Sequence, residues 1–226
     1  MATLLQYAQL ANAAYQAAEP ATMKLPVGFR LLQPRANGVG AAGFKGAVFG
    51  GSGEVVVAFA GTEINRGVVD AVQDIAADLR LPFDMPRQSS NAYFLFMEAQ
   101  SGLDKGQTIT ICGHSLGGAL TQHVAYWTKA NFVTFNAPGV YSGIQGTKAA
   151  FLHSPQKAWR TWQASFGSTA DGHNYRLPDD PVSMMRPHYG RSCRTLYNTL
   201  QLSGHSMNDV VTACEKSGWG LRRPFG

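Results

Sequence analysis

The chain has 226 residues, of which 45% are hydrophobic and 15% are charged. This composition excludes an intrinsically disordered chain, and the length predicts one domain that spans residues 1–226. The formal net charge is +5, without the clustering that marks nucleic-acid binders, so no nucleic-acid partner is expected. The surplus of cations is compatible with peripheral contact to a membrane surface that carries anionic lipid headgroups.

The two ends of the chain bear on localisation. Residues 1–8 contain no cation and lead into no long apolar run, so a classical signal peptide is not predicted. No stretch of about 20 apolar residues, the length needed to span a bilayer, is present. We therefore expect a cytoplasmic protein, one secreted by a non-classical route, or the mature form of an exported one. Residues 216–225 mix cations with Trp219 and Phe225, which would suit either a membrane contact or a frayed tail.

The three cysteines do not form the pattern of a disulfide framework, because their number is small and odd. Cys112 lies in an apolar run and is expected to be a small buried hydrophobic residue. Cys193 and Cys214 could pair, and their spacing leaves this open.

Taken in chain order, the hydrophobic pattern predicts alternating helices and strands. Apolar residues at helical spacing predict a helix over 3–17, and Gly-rich turns separate two predicted strands at 29–34 and 43–50. Three runs rich in β-branched residues are typical of strands buried on both faces of a parallel sheet; they lie at 54–62, 108–112 and 131–135. Further predicted helices lie at about 66–80, 90–101, 117–130 and 209–214.

This alternation of buried strands and helices predicts an α/β fold with a central, mostly parallel sheet flanked by helices. An irregular segment over 140–172 is rich in aromatic residues. It either packs on the domain or forms a flap near the entrance of a substrate site.

One motif carries chemistry: Gly113-His114-Ser115-Leu116-Gly117 follows a predicted buried strand and opens a predicted helix. This context is typical of a nucleophile elbow, in which Gly113 and Gly117 leave room for a sharp turn. We expect Ser115 to have a strained backbone and an exposed hydroxyl, and His114 to support the elbow. The backbone N–H of Leu116 is expected to stabilise an oxyanion.

The sequence resembles the class 3 lipases, a family of fungal and bacterial lipases and phospholipases. Four blocks carry the resemblance, at 113–120, 57–62, 74–79 and 134–139. The resemblance implies an α/β-hydrolase fold and lipid ester substrates. It also implies that Thr62 supplies the second oxyanion donor and that residues 63–72 form a short lid. A small lipase domain without a signal peptide further resembles antibacterial phospholipase effectors.

A serine nucleophile needs a histidine base and a carboxylate that orients it. On this fold the chain order is Ser, Asp, His, which leaves His188 and His205 as bases. The resemblance favours His205, in a loop before the last predicted helix, with His188 as the alternative. It likewise favours Asp180 as the acid, with the adjacent Asp179 as the alternative.

The sequence thus predicts a carboxylic ester hydrolase that works through an acyl-enzyme on Ser115, with Asp180 and His205. No cofactor is expected, and the His and Cys spacings predict no metal site. The expected partner is a lipid or a small ester substrate. Three alternatives stay open: a short-chain soluble esterase, a hydrolase-fold protein that binds without catalysis, and amide hydrolysis or acyl transfer, since the fold does not choose the leaving group.

Overall fold

A computed structural model describes residues 1–37, 43–51, 53–61, 84–140, 170–178, 180–185, 188–196 and 204–225. Within these ranges a central sheet contains strands in the order β1 to β7. Their bounds are β1 (Phe29–Asn37), β2 (Phe44–Gly51), β3 (Glu54–Phe59), β4 (Thr108–His114), β5 (Asn131–Phe135), β6 (Gly172–Arg176) and β7 (Ser192–Thr195).

The strand directions predict at which edge of the sheet a site would lie. β1, β2 and β3 pair antiparallel, whereas β3 through β7 pair parallel. The carboxyl ends of β4, β6 and β7 therefore meet at the same edge. In open α/β sheets, ligands bind outside this edge.

Helices cover both faces of the sheet, with α1 (Leu4–Ala13) and α4 (Met207–Lys216) on one side and α2 (Asp84–Ser101) and α3 (Leu116–Thr128) on the other. The buried strand β3 shows why two layers are needed. Its residues Val56 and Ala58 pack on the α1 side, and Val55, Val57 and Phe59 pack on the α2 side. Because side chains alternate between the faces of a strand, a strand with apolar residues on both faces requires cover on both.

The start of α1 is fixed by local and by long-range hydrogen bonds. The Thr3 side chain accepts from the Gln6 N–H, and the Gln6 side chain accepts from the Thr3 N–H, which forms a capping box. The buried Glu54 carboxylate, at the start of β3, accepts from the Ala2 N–H at 2.7 Å and the Tyr7 hydroxyl at 2.5 Å. Burial and the Glu54 charge raise the pKa of Tyr7. Helix α1 thus begins at the amino end of β3 and runs toward the opposite edge.

The C-terminal segment, residues 216–225, is held against α1 by backbone hydrogen bonds. The Leu4 N–H donates to the Arg222 carbonyl at 2.8 Å, and the Leu5 N–H donates to the Gly220 carbonyl at 3.1 Å. The Arg222 guanidinium lies 4.2 Å from the centroid of the Trp219 ring. This segment therefore lies near the start of α1. That is the end of the sheet opposite to the carboxyl ends of the parallel strands.

Most predicted elements within the described ranges are confirmed. The strands at 29–34, 43–50, 54–62, 108–112 and 131–135 and the helices at 3–17, 90–101, 117–130 and 209–214 all have counterparts, with ends shifted by a few residues. The predicted helix at 66–80, the lid at 63–72, Thr62 and most of 140–172 lie outside the described residues.

The cysteines are free. Cys112 is fully buried, as expected, and burial raises its pKa. Cys193, which is exposed, and Cys214, which is buried, are both free, so the two are not paired. Burial raises the pKa of Cys214 to about 12, which leaves its thiol protonated at neutral pH.

Helices long and apolar enough to cross a membrane do not occur among the described residues.

Candidate active site

Ser115 lies at the junction between β4 and α3 in a conformation that few residues adopt. Its φ is 55° and its ψ is −127°, a sparsely populated region that costs energy and is held by the surrounding structure. The Ser115 N–H donates to the Phe135 carbonyl at 3.1 Å. Ser115 is the N-cap of α3, yet its side chain makes no capping hydrogen bond. Its hydroxyl is therefore available for another partner.

The glycines of the elbow are required by close backbone contacts. A Cβ added at Gly117 would lie 2.2 Å from the Phe59 carbonyl oxygen, and one at Gly113 would lie 2.4 Å from the Gly117 carbonyl oxygen. Both contacts are shorter than any real Cβ makes. The spacing of glycines around Ser115 thus reflects the packing of α3 against β3 and β4.

The expectation of an exposed Ser115 hydroxyl is wrong, because Ser115 is only 1% exposed. Gly61 and Tyr15 lie close to it. A Cβ added at Gly61 would come within 2.9 Å of both the Ser115 Cβ and the Tyr15 hydroxyl.

The structure brings together the three side chains that the sequence predicted as nucleophile, base and acid. The Ser115 Oγ lies 2.6 Å from the Nε2 of His205, and the His205 Nδ1 lies 2.9 Å from the Oδ1 of Asp180. Asp180 is fully buried and His205 is 6% exposed. A carboxylate only accepts hydrogen bonds. His205 therefore carries its proton on Nδ1, and its Nε2 can accept from the Ser115 hydroxyl.

The Asp180 carboxylate is oriented by its own turn, which follows β6. Its Oδ1 accepts from the Val182 N–H at 3.3 Å and its Oδ2 accepts from the Ser183 N–H at 3.1 Å. The Ser183 hydroxyl donates back to the Asp180 carbonyl at 3.0 Å. These bonds orient the carboxylate independently of its contact with His205.

His114, the residue before Ser115, makes two hydrogen-bond contacts that the sequence did not indicate. Its Nε2 lies 2.7 Å from the His205 carbonyl oxygen, and its Nδ1 lies 2.7 Å from the Tyr15 hydroxyl. The carbonyl can only accept, so the Nε2 donates and the Nδ1 accepts from Tyr15. Burial, with His205 close by, lowers the pKa of His114 well below its ordinary value of 6.5, so the ring is neutral at pH 7.

The alternative candidates are placed elsewhere or lie outside the described residues. The Nε2 of His188 donates to the Ala137 carbonyl at 2.8 Å, and its ring makes no described contact with Ser115. Asp179 lies outside the described residues. His123, on α3, lies 3.3 Å from the Ser89 hydroxyl, and His173 contacts Ser192.

The predicted oxyanion donors can be placed only in part. Leu116 is the first residue of α3, where a backbone N–H has no partner within the helix. Thr62 lies outside the described residues, but the chain reaches Gly61 beside Ser115.

Two further residues at the site were missed from the sequence, Tyr15 and Asn136. Tyr15 lies in the region predicted as an N-terminal helix, where helical spacing gave no sign of a contact with His114. Asn136 lies in the block that resembles the lipases, and its side chain contacts the segments of Asp180 and His205. Among the described residues, no group of three His, Cys, Asp or Glu side chains is arranged to hold a metal ion.

Comparisons with solved structures identify the fold. The Lip2 lipase from Yarrowia lipolytica superposes with a TM-score of 0.55 at 15% identity, over 86% of this chain and 77% of the lipase. The triacylglycerol lipase from Penicillium expansum superposes with a TM-score of 0.52 at 15% identity, over 96% and 86% of the two chains. These similarities confirm the α/β-hydrolase fold with a mostly parallel sheet.

At the level of sequence, no curated protein matches this chain. A family model described as a Tle-like phospholipase domain matches residues 6–215, which is nearly the whole chain. The protein therefore belongs to the family of Tle-like phospholipase domains, a lipase-like and phospholipase-like group of hydrolases.

Proposed function

We propose that this protein is a phospholipase that hydrolyses a carboxylic ester of phospholipids, at the sn-1 position, through an acyl-enzyme on Ser115. The observation that carries the proposal is the hydrogen-bonded series from Ser115 through His205 to Asp180, at a strained strand-to-helix junction. Family membership supports the lipid substrate, and the net charge of +5 favours anionic membranes over neutral oil.

The mechanism follows from the hydrogen-bond directions. The His205 Nε2 takes the Ser115 proton while the Oγ attacks the ester carbonyl carbon. Asp180 accepts from the Nδ1–H and stabilises the imidazolium that forms. The Leu116 N–H and Thr62 hold the oxyanion. The C–O bond to the glycerol oxygen then breaks, and the leaving alcohol takes the proton from His205. Water repeats these steps on the acyl-enzyme and releases the fatty acid.

The Ser115→Ala variant tests the nucleophile. It should lower ester hydrolysis by about 10⁴-fold or more, because Ser115 forms the covalent intermediate. The matched control is Ser101→Ala, since the Ser101 hydroxyl is exposed and donates only to the Glu98 carbonyl. A serine-directed phosphonate should label the wild type and the control at Ser115. Activity of Ser115→Ala equal to the wild type would overturn the assignment.

The substrate class is tested with three substrates: anionic phospholipid vesicles, a triacylglycerol emulsion and a series of soluble esters of increasing chain length. Faster release of fatty acid from vesicles supports a phospholipase. Phospholipids with different acyl chains at sn-1 and sn-2 then identify the position that is cut. Hydrolysis of short esters alone would make the protein an esterase. Absence of both hydrolysis and phosphonate labelling would favour a binding protein.

We further propose that the protein acts as an antibacterial effector, on the basis of its family and its lipase-like sequence. Wild-type protein directed to the periplasm of a bacterial host should damage the host, whereas Ser115→Ala should not. Growth and membrane permeability are the measurements. Equal toxicity of both forms, or none, would contradict this role.

A further inference from the structure

Asn136 directly follows β5 and has an unusual backbone conformation. Its φ is +44°, in the left-handed region, where asparagine is one of the few non-glycine residues that occur regularly. It is also fully buried. A buried polar side chain needs hydrogen-bond partners for both ends of its amide.

The Asn136 amide finds these partners on the two segments that carry the acid and the base. Its Oδ1 accepts from the Leu177 N–H at 2.8 Å, three residues before Asp180. Its Nδ2 donates to the Gly204 carbonyl at 3.1 Å, one residue before His205. Since the first partner can only donate and the second can only accept, the orientation of the amide is determined by its surroundings.

The segment that carries Ser115 is hydrogen-bonded to the residue next to Asn136. The Ser115 N–H donates to the carbonyl of Phe135, the residue before Asn136. The backbone N–H of Asn136 donates to the Tyr175 carbonyl at 2.9 Å, at the end of β6. Two consecutive residues at the end of β5 therefore contact the segments of Ser115, Asp180 and His205.

We propose that Asn136 is a positioning residue that holds the segments of Asp180 and His205 in register with Ser115. The inference rests on the proposed hydrolase function. Asn136 makes no described contact with the Ser115, His205 or Asp180 side chains, so it acts through the backbone of their segments. Small misplacements of reacting groups slow a chemical step by as much as about 10²-fold. Loss of the amide should therefore lower kcat and leave substrate binding largely intact.

The variant Asn136→Gly gives a sharp test because glycine adopts a φ of +44° without strain. The positive φ is tolerated, and loss of the buried amide leaves the Leu177 N–H and the Gly204 carbonyl without this partner. The matched control is Thr134→Val, which removes the buried hydrogen bond of 2.6 Å from the Thr134 Oγ1 to the Asn174 Oδ1. The Thr134 side chain bonds to Asn174 within β6, whereas the Asn136 side chain bonds beyond the strand ends, to Leu177 and Gly204.

Each protein is measured for kcat and KM on a soluble ester and for Tm. We expect Tm to fall in both variants. We expect kcat to fall about 10- to 100-fold in Asn136→Gly with KM within about twofold of the wild type, and kcat of Thr134→Val to stay near the wild type. A wild-type kcat in Asn136→Gly would overturn the proposal. So would an equal loss of kcat in Thr134→Val, which would indicate a general effect of instability.

If Asn136→Gly does not fold, Asn136→Asp decides the question by the same criteria. Aspartate also tolerates a positive φ and keeps an acceptor for the Leu177 N–H, but its ionised carboxylate cannot donate to the Gly204 carbonyl. Its kcat is therefore measured above neutral pH, because burial favours a protonated carboxyl that could restore this bond. The wild type and Ser115→Ala are measured in parallel. An inactive wild type would refute the proposed hydrolase function, whereas an active wild type with an equally active Asn136 variant would refute the positioning role alone.

Discussion

His114 and Tyr15 connect the N-terminal region to the candidate base. The Tyr15 hydroxyl donates to the His114 Nδ1, and the His114 Nε2 donates to the His205 carbonyl. The His205 carbonyl can only accept, so the His114 Nε2 carries the proton. The Nδ1 of the neutral ring must then accept from the Tyr15 hydroxyl. Polar groups linked in this way specify a single arrangement only while every member is satisfied.

Tyr15→Phe should therefore weaken the placement of His205. The substitution keeps the ring beside His114 and leaves the His114 Nδ1 without this donor, at a cost of about 1–3 kcal/mol. We expect kcat to fall three- to tenfold, because a rise of roughly 1 kcal/mol in the activation free energy lowers the rate by a factor of about five. Urea unfolding and kcat on a soluble ester measure the two effects.

Tyr7→Phe is the control for this prediction. It also removes a buried tyrosine hydroxyl bond, to Glu54, but at the opposite end of the N-terminal helix from the site. It should lower stability and leave kcat unchanged. An equal loss of kcat in the two variants would refute a specific role for Tyr15.

At the scale of elements, the junction between β4 and α3 depends on close packing of α3 against the end of β3. The Phe59 carbonyl and Ala60 approach Gly117, and Gly118 packs against the Ala137 side chain. These neighbours include backbone atoms of a central strand, which cannot move without disrupting the ladder to β4. The elbow is thus specified by packing as well as by the turn.

Gly117→Ala should be strongly destabilising, because its Cβ would lie 2.2 Å from the Phe59 carbonyl oxygen. We expect a loss of about 3 kcal/mol or more, at the upper end of overpacking costs. Gly102→Ala is the control, since a Cβ there meets no atom closer than 3.8 Å. Thermal unfolding measures both. A Tm of Gly117→Ala near that of the wild type would show that α3 can shift away from β3 at little cost.

At the scale of the whole molecule, buried histidines make stability depend on pH. Burial lowers the pKa of His123 from 6.5 to about 4. Burial, with His205 nearby, also lowers the pKa of His114. Between these values and 6.5 the unfolded chain binds more protons than the folded protein, so the free energy of unfolding falls as the pH falls below 6.5. For His123 the change corresponds to about 3 kcal/mol.

His123→Gln should therefore reduce the loss of stability between pH 7 and pH 4.5. The comparison is Ser89→Ala, which removes the neighbour of the His123 Nδ1 and keeps the titrating ring. Ser89→Ala should have a lower free energy of unfolding than the wild type at both pH values, with the same pH dependence. Urea unfolding at the two pH values is the measurement. An unchanged pH dependence in His123→Gln would show that His123 is protonated in the folded state.

Much of the fold could be predicted because its signals are local. The runs in β3, β4 and β5 carry apolar or β-branched residues on both faces, and this property by itself predicts cover on both sides. The elbow was predicted because glycine spacing and the switch from strand to helix occur within a few residues. The exposure of Ser115 was predicted wrongly, since residues distant in sequence, such as Gly61, pack close to it and no local pattern reveals them.

The sequence by itself determined the α/β arrangement and the place of Ser115 between a buried strand and a helix, whereas the chain order of the candidate acid and base followed from the predicted fold. Only the tertiary structure decided that His205 contacts both Ser115 and Asp180, that His188 bonds to Ala137 instead, and that Tyr15 and Asn136 contact neighbouring segments of the site. Ser115 and His205 are 90 residues apart, and Tyr15 and His114 are 99 residues apart. Periodicity and turn chemistry act over a few residues, whereas contacts over such separations depend on how the parallel strands align their carboxyl ends.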